Sequence, residues 1–186
     1  MKYPHKLQYL KTSAVVAALY MAAMPVQASA ESLSEDNIRS MYSELDANVR
    51  SADKNVQALK SRLDDDYVVT TESAVIFGGN PPVAGEYDAT KSQILLDMPK
   101  LYTFSTIDQY KRTIVDIKFS TDKNWAYVSL TKETEGKMEF APGGAQSATL
   151  KFSTQSSCID TLGVKSGKLK IQKSECKERT TVTPPQ

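Results

Sequence analysis

The chain has little of what most enzymes use to move protons or hold metals. Its 186 residues include one histidine, and that residue, His5, lies in an N-terminal segment with the features of a leader. Without that segment no imidazole remains, which excludes histidine-based triads, histidine metal sites and a histidine general base. There are two cysteines and no Cys-x-x-Cys spacing. No stretch approaches the roughly 20 apolar residues that crossing a bilayer requires. No run of Lys and Arg is present, so nucleic acid and polyanionic membrane surfaces are poor partners. Gly78-Gly79 is not followed by Lys-Ser/Thr, which removes a phosphate-cradling loop.

What is present begins with the leader. Lys2, Lys6 and Lys11 form a basic head, Ala14 to Met24 is an uncharged apolar run, and Ala28-Ser29-Ala30 supplies small residues at −3 and −1. This is a signal peptide with cleavage near Ala30. Residues 31–178 read as the folded domain and 179–186 as a polar tail. The expected destination is a bacterial periplasm, with release into the medium as the alternative. No cysteine at the cleavage site offers a lipid anchor. Without three lysines the 23 basic residues fall to 20 against 22 acidic, a net of −2.

In an exported chain Cys158 and Cys176 are expected to pair. The turn signal Val164-Lys165-Ser166-Gly167-Lys168 lies between them. A hairpin centred on Gly167 sets the two cysteines directly opposite each other. The absence of a neighbouring His favours a structural staple over a redox pair.

Ser34 can cap a helix whose Ile38, Met41, Leu45 and Val49 recur at helical spacing through about residue 50. Asp53 can cap a second helix carrying Val56, Leu59 and Leu63; one long helix is the alternative, because Ala52 also fits the apolar stripe. Tyr67–Thr71 reads as a strand and Ala74–Phe77 as another, followed by a loop at Gly78–Pro82. Asp88 can cap a third helix through about Met98, with Pro99 marking its end. Tyr102–Phe119 and Trp125–Thr134 flank a turn. The expected register pairs Val115 with Leu130, Ile117 with Val128 and Phe119 with Ala126. The opposite face then carries Tyr110, Arg112, Ile114, Asp116, Trp125 and Tyr127. A loop at Ala141–Gly144 precedes a last hairpin of Thr149–Asp160 and Lys168–Lys177. Helices first and a meander afterwards define an α+β domain.

Several stretches resemble the nuclear transport factor 2-like superfamily, in its SnoaL-like and ketosteroid isomerase-like branches. They are Val49-Arg50-Ser51-Ala52-Asp53, Val56-Gln57-Ala58-Leu59, Asp65-Asp66-Tyr67-Val68-Val69, the pair Gly85 and Ala89, and Gly167-Lys168-Leu169-Lys170-Ile171. In the last of these, Leu169 stands where the family often has Trp. The resemblance implies a cone: a curved antiparallel sheet wrapped around three N-terminal helices, with a pocket at its open end, often dimeric. It does not carry the family's chemistry over. Leu45 occupies the position of the oxyanion-donating tyrosine, and Thr71 that of the general-base aspartate. The histidine of several SnoaL-like enzymes falls near Arg112, and its polar companion near Asp116.

The candidate ligand-binding residues are therefore Tyr42, Tyr110, Arg112, Asp116, Trp125 and Tyr127. Aromatic walls with one carboxylate and one guanidinium can orient a small ligand, but the same set on an outer sheet face suits a dimer interface. Tyr42 reads equally as a core or pocket-wall tyrosine. Asp64-Asp65-Asp66 lacks the Asp-x-Asp-x-Asp-Gly pattern of a calcium loop and reads as a solvated helix end. No catalytic residue, metal or cofactor is assigned. The favoured reading is a non-catalytic exported module that binds a small apolar or amphipathic ligand or a protein partner, as a homodimer. The alternatives are an isomerase, dehydratase or cyclase using Asp116 with a tyrosine, and a structural subunit of an envelope complex.

Overall fold

The computed structural model describes residues 30–140 and 148–184. The leader through residue 29, the Ala141–Gly144 loop and the last two residues lie outside them. From Glu31 onward the chain forms one unit. Helix α1 spans Glu35–Asn48: Ser34 caps it by accepting from the Asn37 N–H at 3.4 Å, and Glu35 and Asp36 favour its N-terminus. Its stripe of Ile38, Met41, Tyr42 and Leu45 is buried. Helix α2, Ala52–Arg62, follows a break at Val49–Ser51 and turns Ala58 and Asn55 inward. Two helices are present rather than one long one, and Ser51, not Asp53, holds the cap position.

The helices lie against a six-stranded sheet of order β2-β1-β6-β5-β4-β3. Its strands are β1 (Leu63–Phe77), β2 (Val83–Thr90), β3 (Ser105–Phe119), β4 (Ala126–Phe140), β5 (Ala148–Lys165) and β6 (Lys168–Thr183), with helix α3 (Lys91–Phe104) between β2 and β3. All neighbours are antiparallel except β1 and β6, which run parallel, so the sheet is mixed rather than wholly antiparallel. Ile38, Met41 and Leu45 pack against Ala126, Val128 and Leu130 of β4, Leu162 of β5, and Leu169 and Ile171 of β6. Burying a side chain such as Ile38 or Leu162 contributes roughly 1.5–3 kcal/mol.

Four details depart from the expected elements. The two short strands at 67–77 are one continuous β1, because Glu72 and Ser73 pair on both sides, with Glu86 and Gly85 of β2 and with Lys177 and Glu178 of β6. Asp88 does not cap a helix. It sits in β2 and accepts from the Thr70 hydroxyl at 2.7 Å, while Thr90 caps α3. Helix α3 also continues through Pro99 to Phe104, where the Ser105 N–H closes the last turn on the Leu101 carbonyl. Finally, β6 reaches Thr183, into the segment read as a polar tail, with Val182 buried against Phe152 of β5.

The last hairpin turns on Ser166 and Gly167, whose φ angles of 53° and 72° make the two-residue left-handed turn that suits right-twisted strands. Near the turn Leu162 faces Ile171. A one-residue bulge at Gln172 then shifts the register, so that Thr161 faces Lys173 and Cys158 faces Cys176. The turn centre lies half a residue from the expected one, and the bulge restores the cysteine pairing. Cys158 and Cys176 form the disulfide.

Candidate functional site

Strand alternation sends one row of β4 side chains, Ala126, Val128 and Leu130, into the core, and the next member of that row is Lys132. The cross-strand register extends this row into a polar belt. Arg112 of β3 faces Lys132, Lys132 faces Ser156 of β5, Ser156 faces Glu178 of β6, and Glu178 faces Ser73 of β1. Helix α3 lies over the belt and leaves a cavity of about 400 Å³ between itself and the inner sheet face. Val69, Ile94, Met98 and Leu101 give it apolar walls, and its polar groups come from Lys132, Ser156 and Glu178 of the sheet and from Gln93 and Asp97 of α3. A small, mostly apolar space with a few polar groups is the ordinary form of a ligand site.

Helix α3 closes this cavity while burying no residue of its own. Two tethers hold it. Lys91 donates to the Leu63 carbonyl at 3.0 Å and to Asp65 at 2.9 Å. Tyr102 accepts from Asn55 at 2.9 Å and donates to the Val49 carbonyl at the α1–α2 break. Leu96 and Leu101 remain 61% and 48% exposed. An element held by a few polar contacts and little burial is drawn from the low-stability end of the structure.

Beneath the cavity floor lies a buried hydroxyl–carboxylate chain. Tyr67 donates to Ser174 at 2.9 Å, Ser174 donates to one oxygen of Asp160 at 2.6 Å, and Tyr42 donates to the other oxygen at 2.6 Å. Burial, and then the Asp160 charge, push the Tyr42 phenol well above its ordinary value. Burial likewise raises Tyr67, against the Ser174 hydrogen bond. Only Tyr67 of this chain reaches the cavity wall, so Asp160 is a structural acceptor rather than a base in contact with ligand. Beside it, Arg112 lies 4.9 Å from the centre of the Tyr42 ring and 5.7 Å from that of Tyr110, and pairs with Asp46 of α1 at 2.7 Å. Burial raises the Asp46 carboxyl despite this guanidinium, and it raises Tyr110 to about 12.

The expected six-residue cluster is split. Tyr42, Tyr110 and Arg112 come together on the inner face, whereas Asp116, Trp125 and Tyr127 lie on the outer face. The cause is a bulge in β3. Ile117 faces Val128 and Phe119 faces Ala126 as expected, but Ile114, not Val115, faces Leu130. The extra residue puts Ile114, and with it Arg112 and Tyr110, on the same inner face as Ile117, while Asp116 keeps the opposite face. Asp116 is exposed and lies 3.3 Å from Lys118. It cannot serve as a base inside the cone, and that assignment is withdrawn. Leu45 and Thr71 are both buried, and Thr71 lines the cavity where the resemblance implies an aspartate. Glu72 points outward and pairs with Lys177 at 3.0 Å. Asp64 and Asp65 are taken by Lys165 at 2.7 Å and Lys91 at 2.9 Å.

Three residues missed in the sequence were within reach of it. Asp160 is two positions from Cys158 and shares its face, and Ser174 stands to Asp160 as Cys176 does to Cys158. Lys132 extends the alternation of Ala126, Val128 and Leu130 by one step. A larger concavity, about 920 Å³, shares Lys132, Ser156 and Glu178 with this cavity and extends among exposed Glu72, Thr131, Glu133, Gln155, Lys177 and Arg179. It is more open and strongly charged, and we place the site in the cavity beneath α3.

The class of protein defined by this architecture is an α+β cone with a cavity between its third helix and its sheet. No protein-family model and no curated protein matches the chain. Solved structures similar to it include an NTF2-like protein from Cytophaga hutchinsonii, 15% identical over 76% of this chain and 95% of its own, with a TM-score of 0.48. A scytalone dehydratase candidate from Novosphingobium aromaticivorans is 13% identical over 81% of this chain and 87% of its own, at 0.49. An NTF2-like protein of unknown function in nutrient uptake from Rhodospirillum rubrum is 17% identical over 76% and 98%, at 0.43.

Proposed function

We propose that this chain is an exported, non-catalytic binding module that holds a small amphipathic ligand in its cone and works as a homodimer. The observation that carries the reading is the cavity of about 400 Å³ under α3, lined by both apolar and polar side chains. Leu45 in the core and Thr71 in the cavity wall stand where the resemblance implies an oxyanion donor and a base, and neither can perform that chemistry, which favours binding over turnover. The open cavity also weighs against a purely structural subunit, for which a filled cone is expected. Export is favoured by the leader-like segment and by the disulfide. The packed unit begins at Glu31, whose N–H donates to the Gly167 carbonyl at 2.9 Å, so cleavage near Ala30 leaves the fold whole. Among the described residues no helix is long and apolar enough to cross a membrane.

The test is native mass spectrometry of the mature protein taken from its own periplasm, under gentle and then denaturing conditions. A small molecule that travels with the folded chain and leaves on denaturation supports the reading and identifies the compound class. A protein that arrives empty, and binds no apolar probe under α3, rejects it.

A further inference from the structure

Lys132 is the feature that a simple apolar pocket does not need. It occupies an inward position on β4 that continues Val128 and Leu130, and it lines the cavity. Among the described residues no carboxylate lies within ion-pairing distance, 4.0 Å, of its ammonium nitrogen. Across β3 it faces Arg112, a second cation whose own charge is committed to Asp46 at 2.7 Å. On its other side come Ser156 and then Glu178. An amine placed in a largely apolar space, beside another cation and without a counter-ion, is the arrangement that makes lysine a nucleophile.

We propose that Lys132 captures small apolar aldehydes in the cone as reversible imines, a proposal that rests on the cavity being a ligand site. The lone pair of the uncharged amine attacks the carbonyl carbon, and the carbonyl π bond breaks towards oxygen. One proton passes from nitrogen to oxygen to give the carbinolamine. Its C–O bond then breaks, nitrogen gives up its second proton, and the oxygen leaves as water. Nothing is oxidised or reduced, and the reverse hydration releases the aldehyde. Glu178 also lines the cavity but lies beyond 4.0 Å of the amine, so a proton passing between the two travels through water. The walls formed by Val69, Ile94, Met98 and Leu101 accept the apolar chain.

The charge state of Lys132 agrees with this placement. Burial is the largest influence and pushes its ammonium below the ordinary lysine range, and Arg112 acts in the same direction. The carboxylates of Asp160 on β5, Glu178 on β6 and Asp46 on α1 oppose them, and the net shift is downward.

The test uses the full mature chain with its disulfide intact. Hexanal and cyanoborohydride are added briefly at about pH 6.5, where ordinary lysines with pKa near 10.4 are almost wholly protonated. Alkylated sites are then mapped by peptide mass spectrometry. The proposal expects Lys132 to carry the hexyl group about tenfold faster than the median lysine. Lys132→Arg, which keeps the charge, and Lys132→Met, which keeps the length, should both lose that fast site. Modification spread over exposed lysines, with Lys132 no faster, overturns the proposal whether or not either variant folds. A parallel titration with an apolar fluorophore separates the two readings. Saturable fluorophore binding without fast Lys132 modification removes the imine and leaves the cavity as a site, whereas absence of both removes the two together.

Discussion

The Tyr42 hydroxyl donates to the Asp160 carboxylate at 2.6 Å, joining α1 to β5 across 118 residues of sequence. Both groups are buried, and Ser174 satisfies the second oxygen of Asp160. Tyr42→Phe leaves one buried carboxylate oxygen without a donor and should cost about 1–3 kcal/mol. Tyr67→Phe removes a donor only from the Ser174 hydroxyl and should cost less, about 0.5–1.5 kcal/mol. Urea unfolding followed by far-UV circular dichroism measures both. Equal losses, or a Tyr42→Phe protein as stable as the parent, contradict this account of the network.

The disulfide closes a loop spanning 18 residues between β5 and β6. The chain-entropy estimate for such a loop is about 3 kcal/mol, acting mainly by restricting the unfolded chain. Reduction with dithiothreitol and the double substitution Cys158→Ala/Cys176→Ala should therefore lower the unfolding free energy by similar amounts. The fold should survive both, because Leu162, Leu169 and Ile171 keep the hairpin in the core.

The disulfide also shows how far the sequence could be read. The helical stripe of α1 and the cysteine pairing were legible because each rests on a repeating spacing. The exact path of a strand does not. One bulge at Gln172 leaves Cys158 opposite Cys176, whereas one bulge at Val115 turns Arg112 into the cone and leaves Asp116 outside it. Val115 is β-branched like its neighbours, so nothing local marks it as the extra residue. The parallel pairing of β1 with β6 was equally hidden, since it joins residues about a hundred positions apart through contacts that no local pattern specifies. Lys132 and Asp160 are different: each continues an inward alternation that could be counted, and each was passed over because polar residues are not looked for on a buried face.

Acid should weaken the fold through Glu31 and Asp64. Burial tends to raise the Glu31 carboxyl, but hydrogen bonds from Arg62 at 2.7 Å and from the Leu169 N–H at 2.6 Å hold it below its ordinary 4.5. Burial likewise tends to raise the Asp64 carboxyl, but the hydrogen bond from Lys165 outweighs it and holds the carboxyl below its ordinary 3.8. A carboxyl lowered in the folded state contributes stability that is full above its unfolded pKa and lost as pH falls through the folded one. Unfolding free energy should thus fall as pH drops below about 4.5, and less steeply in Glu31→Gln. The alkaline side has the reverse sign. The raised phenols of Tyr42 and Tyr110 contribute stability that is full below their ordinary 10.0 and lost as pH rises through the folded values. Denaturant titrations at stepped pH, with parent and variant side by side, test both limbs.

Gly136 sits on β4 where β3 crosses closely. A Cβ there would lie 2.0 Å from the Thr106 carbonyl oxygen and 2.8 Å from the Phe152 ring. The first neighbour is backbone and cannot swing aside, so Gly136→Ala must part β3 from β4 near Ile107. Overpacking of this kind costs typically about 1–3 kcal/mol. Amide exchange should quicken around residues 105–109 and remain slow at Ile117 and Val128, which pair beyond the bulge. Uniform quickening along the whole strand pair contradicts a local effect.

The outer face carries the test of the dimer. The bulge at Val115 leaves that side chain 65% exposed, with Ile159 at 48% and Tyr127 at 45% on the same side of the sheet. Val115 and Ile159 line one concavity of about 510 Å³, together with Ser129 and Glu175. Apolar side chains this exposed on a sheet face, ringed by Lys118, Asp116 and Glu175, have the apolar-centre, polar-rim pattern of an interface. If a second copy covers them, Val115→Lys places an unpaired charge at the centre and should weaken association about tenfold or more. Lys118→Ala, at the rim, should change it little. Light scattering coupled to size-exclusion chromatography over a dilution series reads both. A parent that stays monomeric at every concentration rejects the dimer and leaves the cavity beneath α3 to act within a single chain.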